Sequence, residues 1–253
     1  MSITPSPTLI LLPGWAIAPS AMAPLASALE AQLPGWTIST IPLPLLEDDH
    51  PETWLDELDS QLPDHAWLAG WSLGGMLAMA LSARRGKRCP GVITLGSNAS
   101  FITRDDWGCA LPIATLVAFR NRWSKSPEAT FSRFAALAAR GSANTGHMAR
   151  HIEQHSLPLN LEHALAGLSM LQQMDLRTLL PQHRNPGLHL FAEYDAMVPA
   201  SACAAVAELL SAGSETHTMA DTGHAFPLEH PERCADIMAA FIRRHDGDQA
   251  DER

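Results

Sequence analysis

The segment Gly70-Trp71-Ser72-Leu73-Gly74-Gly75 constrains this chain more than any other. It joins an apolar run that reads as a strand, Ala66-Trp67-Leu68-Ala69, to a helix-forming run, Met76-Leu77-Ala78-Met79-Ala80-Leu81. Gly70 to Gly74 fits the Gly-x-Ser-x-Gly nucleophile elbow, in which a serine sits on a strained strand-to-helix turn with its hydroxyl above the sheet edge. A turn that tight brings backbone segments together, so a Cβ at either flank would clash. It also sets Ser72 at a helix N-terminus, where free N–H groups stabilise developing negative charge. The competing reading is a glycine-rich turn that only packs strand on helix.

The rest of the chain supplies a sheet for such a turn. Thr8 to Leu12 reads as a buried strand ended by Pro13-Gly14, and a helix is expected over Ala21 to Leu33. Further strands are expected at Thr37 to Ile41, Gly91 to Gly96, Leu188 to Ala192 and Glu215 to Met219, with helices at Thr53 to Leu62, Ala200 to Leu210 and Pro231 to His245. Short apolar runs alternating with helices imply an α/β fold with a mostly parallel sheet flanked by helices. Residues 101–180 break the alternation and read as several helices, hence as a cap inserted over the C-terminal edge of the sheet, where ligands bind. The expected organisation is a core of residues 1–100 and 181–245, a helical cap over 101–180, and a frayed charged tail over 246–253.

A serine needs a base, and the base an orienting acid, in the chain order Ser, Asp or Glu, His. Asp195 follows the strand ending at Ala192, and His224 lies in Asp221-Thr222-Gly223-His224-Ala225, between the last strand and the last helix. Both are expected to project from the same sheet edge as Ser72. Glu193 is the rival acid, set aside because Asp195 runs into Val198-Pro199, which opens a helix. An oxyanion would need two N–H donors. Leu73 is one expected donor, and Trp15, in Leu12-Pro13-Gly14-Trp15, is the other because Pro13 has no N–H. Trp15 and Trp71 are expected to wall the pocket, with Phe134 as a third substrate contact; for each tryptophan, core packing is the competing reading.

Composition narrows the class. A chain of 253 residues that is 46% hydrophobic and 17% charged reads as one ordinary globular domain. No apolar run reaches the roughly 20 residues that span a bilayer, and no secretory signal is evident at the N-terminus. Cys89, Cys109, Cys203 and Cys234 are scattered, so they are read as reduced thiols of a cytoplasmic, monomeric protein. A net charge of -10 argues against nucleic-acid binding. Arg104 to Arg150, however, carries seven basic and three acidic residues, a net of +4 on a remainder of -14. Such a segment is either a docking face for an acidic partner or a solvated helical surface. His147, His151 and His155 recur every four residues, but with no supporting ligand set they read as polar surface; no metal and no cofactor is expected.

Over nearly its whole length the chain resembles the α/β-hydrolase superfamily. Gly-Trp-Ser-Leu-Gly-Gly, Leu11-Leu12-Pro13-Gly14-Trp15, Met174-Asp175-Leu176-Arg177 and Asp195-Ala196-Met197-Val198-Pro199 resemble, within it, the pimeloyl-acyl carrier protein methyl ester esterases of biotin synthesis. That resemblance implies a Ser72, Asp195, His224 triad that hydrolyses a methyl ester on an acyl chain tethered to acyl carrier protein. It also implies cap arginines that grip the carrier, matched here by Arg133 and Arg150. The chain departs from that family in carrying Pro13-Gly14 where His-Gly is usual. The rival expectations are a general short-chain carboxylesterase, an acyltransferase or cofactor-free haloperoxidase with the same triad, and a non-catalytic binding protein on the same fold.

Overall fold

The computed structural model of the protein describes residues 6–250. Six strands form one parallel sheet in the order β2-β1-β3-β4-β5-β6: β1 (Thr8–Leu12), β2 (Thr37–Thr40), β3 (Ala66–Trp71), β4 (Val92–Leu95), β5 (Gly187–Ala192) and β6 (Ser214–Met219). β3, β4 and β5 are buried along their whole length, and β1 is buried after Thr8. The edge strands β2 and β6 are the hydroxyl- and charge-bearing ones, as strands with a solvated side must be. The chain runs outward from β1 to β2 and then returns to the other side of β1 for β3. The order therefore reverses between β1 and β3, and the carboxyl ends of these two strands frame the crevice where open α/β sheets bind ligands.

Helices connect the strands: α1 (Ala23–Gln32), α2 (Pro51–Gln61), α3 (Leu73–Arg85), then α4 (Ile113–Trp123), α5 (Pro127–Ala138), α6 (Thr145–Gln154) and α7 (Leu161–Gln173) between β4 and β5. α8 (Ser201–Ala207) precedes β6, and α9 (Phe226–Glu229) and α10 (Pro231–Ala250) follow it. α1 packs on α10 and α2 on α3. The first expected helix begins instead as a 3-10 turn, Pro19–Met22, before α1 starts. α10 continues to Ala250, into the segment where a frayed tail is expected. Phe241 and Ile242 anchor the helix in the core, and each further residue adds a hydrogen bond without a new nucleation cost. Residues 251–253 lie outside the described residues.

Two ends of the helical insertion are tied together. Asp175 bridges to Ser100, and Leu176 N–H donates to Ala99 O at 2.7 Å. Arg104 pairs with Asp175 at 3.3 Å, while Arg177 holds both Asp175 and Asp106. The Met174–Arg177 motif is thus the clamp at the root of the insertion. Arg104, one of the seven cations of the basic segment, is neutralised within it.

Below the site, three buried polar side chains are paired. The Arg85 side chain is fully buried, bonded to Asp59 and to the Asp59, Leu62 and Pro63 carbonyls at the end of α2. His189 on β5 shares a hydrogen bond of 2.8 Å with Thr94 Oγ1, and His183 one of 2.9 Å with Ser82 Oγ. Burial pushes His189 down to about 3 and His183 down to about 4, so both are neutral in the folded protein at pH 7. An unfolded histidine takes up a proton near 6.5. The unfolded state therefore binds more protons once the pH drops below that value, and stability falls as pH is lowered from about 6.5 toward 4. Thermal unfolding between pH 7 and pH 4 should show this loss, and His189→Gln, which retains a partner for Thr94, should flatten the slope.

Candidate active site

Ser72 is the single residue between β3 and α3. Its backbone lies at φ 55°, ψ −119°, a conformation costing a side-chain-bearing residue about 1–3 kcal/mol. The surroundings enforce it. Ser72 N–H donates to Leu95 O at 2.8 Å, and Ser72 O accepts from Ser97 Oγ at 2.8 Å and from the N–H groups of Gly75 and Met76. A Cβ on Gly70 would meet Gly74 backbone at 2.3 Å, one on Gly74 would meet Pro13 O at 2.3 Å, and one on Gly75 would meet Ser97 Oγ at 2.1 Å. All three glycines are therefore required by contact, and Gly74 locks the elbow against the end of β1.

His224 and Asp195 meet at the same edge. His224 Nδ1 lies 2.7 Å from Asp195 Oδ2, and both side chains are shut off from solvent. Asp195 Oδ1 accepts from Met197 N–H and Val198 N–H, each at 2.8 Å, so the carboxylate is fixed and its free oxygen points at the imidazole. His224 Nε2 is buried and has no partner among the described residues. A histidine oriented through Nδ1 with Nε2 open is the arrangement of a general base. Glu193 does something else: its carboxylate accepts Asp221 N–H at 3.0 Å and braces the loop that carries His224.

Leu73 and Trp15 are the expected oxyanion donors. Leu73 opens α3, so its N–H has no carbonyl within the helix to bond. Gly14, immediately before Trp15, is so near the elbow that a Cβ there would sit 3.6 Å from Ser72 Cβ. Trp71 takes a different place from the pocket wall expected of it. Its indole is buried under the histidine, donates to His224 O at 3.0 Å, and stacks obliquely 5.6 Å from the imidazole.

Trp15 reaches the insertion. Its indole N–H donates to Ala164 O on α7, and its ring packs edge-on to Phe119, Trp123 and Phe134 at centroid distances of 5.6, 4.8 and 5.4 Å. Trp15, Phe134, Phe119, Leu168 and Met197 line a cavity of about 50 Å³ whose walls are apolar apart from Thr115. Phe134, expected as a substrate contact, is one of the residues lining this cavity. An open groove of about 470 Å³ between α4 and α5 adjoins it, sharing Thr115, Phe119, Phe134 and Leu137, with Arg122 and Arg133 on its walls. Arg150 is exposed on α6 and is not among the residues lining either space.

The loop joining α5 to α6 is pressed onto the His224 loop. Ala225 N–H donates to Ala138 O, Ala143 N–H donates to Glu229 Oε1, and a Cβ on Gly223 would fall 2.0 Å from Arg140 O. Ser97 and Glu229 carry no motif and stand well away from Ser72 along the chain, so only the fold reveals them. Of the histidines spaced by four on α6, His151 and His155 have rings 4.4 Å apart. Asp48, Asp49 and His50 form the group among the described residues whose donor atoms converge, but their contacts to Thr53 and Ser169 already tie α2 to α7.

Comparison with known proteins agrees with this geometry. A match to the alpha/beta hydrolase family runs from residue 9 to residue 237. The chain belongs to that family. It is 31% identical over 254 residues to a pimeloyl-[acyl-carrier protein] methyl ester esterase of Aromatoleum aromaticum, covering 94% of this chain and 98% of that one. It is also 31% identical over 240 residues to the biotin biosynthesis bifunctional protein BioHC of Cellvibrio japonicus, covering 93% of this chain but only 47% of that protein, so it spans about half of the larger relative. The fold is shared with a bromoperoxidase of Bacillus anthracis, with a TM-score of 0.85 at 16% identity over 94% of this chain and 92% of the other. No helix among the described residues is long and apolar enough to cross a membrane.

The two carboxylates of the β5 loop separate cleanly by mutation. Asp195→Asn should lower kcat by several orders of magnitude, since the amide fixes the wrong histidine tautomer. Glu193→Gln, which keeps an acceptor for Asp221 N–H, should cost little. Steady-state hydrolysis of an activated ester by both variants is the measurement, and the reverse ranking would transfer the acid role to Glu193.

Proposed function

We propose that the protein is a serine carboxylic ester hydrolase that removes the methyl group from the methyl ester of pimeloyl-acyl carrier protein in biotin synthesis. The observation that carries the chemistry is the buried His224–Asp195 pair, with Nε2 left open at the sheet edge where Ser72 is held in its strained turn. The relatives named for that esterase support the substrate, at 31% identity over nearly the full length of both chains.

In this reading His224 Nε2 takes the proton of Ser72 Oγ as the oxygen attacks the ester carbonyl. The N–H groups of Trp15 and Leu73 receive the oxyanion. Collapse of the tetrahedral intermediate breaks the bond to methoxide, which leaves as methanol with the proton from His224. Water, deprotonated by the same histidine, then hydrolyses the acyl-enzyme and frees the carboxylate. Residues 101–180 act as the cap, and the apolar cavity beneath them takes methylenes of the acyl chain. Trp71 serves as a positioning residue that steadies His224 from below. The carrier is held from the cap by Arg133 and Arg150. Neither of these arginines makes an ion pair among the described residues, so their charge is free for a partner.

Ser72→Ala and His224→Ala should each lower kcat by about 10⁴-fold or more while circular dichroism and melting stay those of the folded protein, because triad members act as a unit. Full activity in Ser72→Ala would end the mechanism. Arg133→Ala and Arg150→Ala should raise KM for the carrier-bound methyl ester more than they lower kcat, and the effect should shrink at high salt, where the Debye length falls below about 8 Å. A small p-nitrophenyl ester is the comparison. Equal losses on both substrates would give the arginines a structural role, and no loss on either would favour the general-esterase reading.

A further inference from the structure

The loop joining α5 to α6 is wedged between the two loops that carry the acid and the base. Gly141, at φ 92°, marks the place: a Cβ there would sit 2.9 Å from Gly223 Cα on one side and 2.9 Å from Tyr194 Cβ and O on the other. Tyr194 directly precedes Asp195, and Gly223 directly precedes His224. The fit is reciprocal, since a Cβ on Gly223 would run into Arg140 O and Gly141 Cα. Each of these glycines is required by the backbone of the other's segment.

Hydrogen bonds turn the close approach into an attachment. The peptide joining His224 to Ala225 is bonded on both sides: its C=O accepts from the Trp71 indole N–H at 3.0 Å, and its N–H donates to Ala138 O at 3.2 Å. The orientation of that peptide is therefore set by the sheet on one side and by the insertion on the other. Glu229 Oε1 accepts Ala143 N–H at 2.8 Å, and Glu229 N–H donates back to Ala225 O at 3.0 Å. Ala138, Ala143, Glu229 and Ala225 thus close a ring of contacts around the loop, in which the Glu229 carboxylate is the side-chain link. Stability alone does not account for a carboxylate there. Its Oε2 is buried with no hydrogen-bond partner among the described residues, and Ser142 Oγ, beside the Ala143 bond, is buried without one too. His230 Nε2 stands 3.8 Å from Oε2, beyond hydrogen-bond reach. A buried acceptor left open costs folding free energy.

We propose that Glu229 is a positioning residue for ester hydrolysis: by holding Ala143 it keeps the α5–α6 loop wedged between the Asp195 and His224 loops, and so keeps the imidazole oriented toward Ser72. This rests on the esterase reading above and deepens it. Glu229 acts through backbone and not on the reacting atoms. Its carboxylate makes the insertion part of the support of the base, so a loop that lifts from this contact lets the His224–Ala225 peptide turn.

The test uses the full chain and a p-nitrophenyl ester, with each rate divided by the number of sites that a fluorophosphonate labels at completion. Glu229→Leu, similar in size but without an acceptor, should lower kcat per labelled site on the order of 10- to 100-fold with KM nearly unchanged, the size expected when a reacting group is misplaced by about an ångström. Glu229→Gln keeps an acceptor for Ala143 N–H and should recover most of kcat. In an Asp195→Asn background, where the imidazole is already misoriented, Glu229→Leu should add little, as for groups that act on one target. Should Glu229→Leu fail to fold, Gly141→Ala presses on both loops and should lower kcat in the same way. An unchanged kcat per site in Glu229→Leu overturns the positioning role. So does a Gln variant as slow as the Leu variant, or an equal loss with and without Asp195. Fewer labelled sites, each of full activity, overturn it in favour of a folding role. Failure of the esterase reading would show separately, as a wild-type protein that hydrolyses no ester and takes up no label.

Discussion

Everything at the candidate site depends on one residue held in a costly backbone conformation. Ser72 at φ 55° would relax if its neighbours allowed, and the structure removes each route of relaxation. The sheet holds its N–H through Leu95 O, Ser97 holds its carbonyl, and the start of α3 is closed by bonds back to that same carbonyl. The glycines act by absence. Gly70 and Gly74 let strand and helix touch, and Gly74 lets both touch the end of β1. Because β1 is gripped there, the turn carrying Trp15 is fixed relative to Ser72. The strain at one residue is thus the local cost of bringing three backbone segments to one point, and hydrogen bonds and packing elsewhere offset it.

That same crowding explains why so much of the site was legible in the sequence. A contact too close for a Cβ leaves glycine as the permitted residue, so the elbow writes itself into the chain as Gly-x-Ser-x-Gly-Gly. Asp195 and His224 were readable because each directly follows a strand of a parallel sheet, and all such loops open at the same edge. The choice of Asp195 over Glu193 rested on its run into Val198-Pro199; in the structure Asp195 bonds His224 while Glu193 accepts Asp221 N–H, through hydrogen bonds that no periodicity encodes. Trp71 marks the opposite limit. Adjacent to the serine in sequence, it read as pocket wall. Because successive residues of a strand point to opposite faces, it lies buried under His224 instead.

The helical insertion was visible only as an interruption of the strand–helix alternation, and its inner organisation was not. Its helices are amphipathic to different degrees and meet the core through three separate devices: the Asp175–Arg177 clamp, the aromatic ring cluster on Trp15, and the α5–α6 loop against Gly223. Each joins residues tens of positions apart, where single-sequence pattern carries no information. The consequences are nevertheless specific. Trp15 follows Gly14 at the elbow and at the same time packs on α4 and α5 and bonds α7, so one side chain joins the turn after β1 to the insertion.

Apolar walls also bear on the direction of the proposed reaction. A methyl ester can enter a cavity lined by Phe119, Phe134, Leu168 and Met197 because it carries no charge. In the proposed reaction hydrolysis converts that end into a carboxylate, which an apolar cavity without a partner for it disfavours strongly. Asp195 cannot compensate, being itself an anion held by Met197, Val198 and His224. Arg122 and Arg133 line the outer groove, and the inner cavity has no arginine among its lining residues. Under that proposal the reacting end arrives neutral and becomes ionised, and the charge the reaction creates disfavours its return into the apolar cavity.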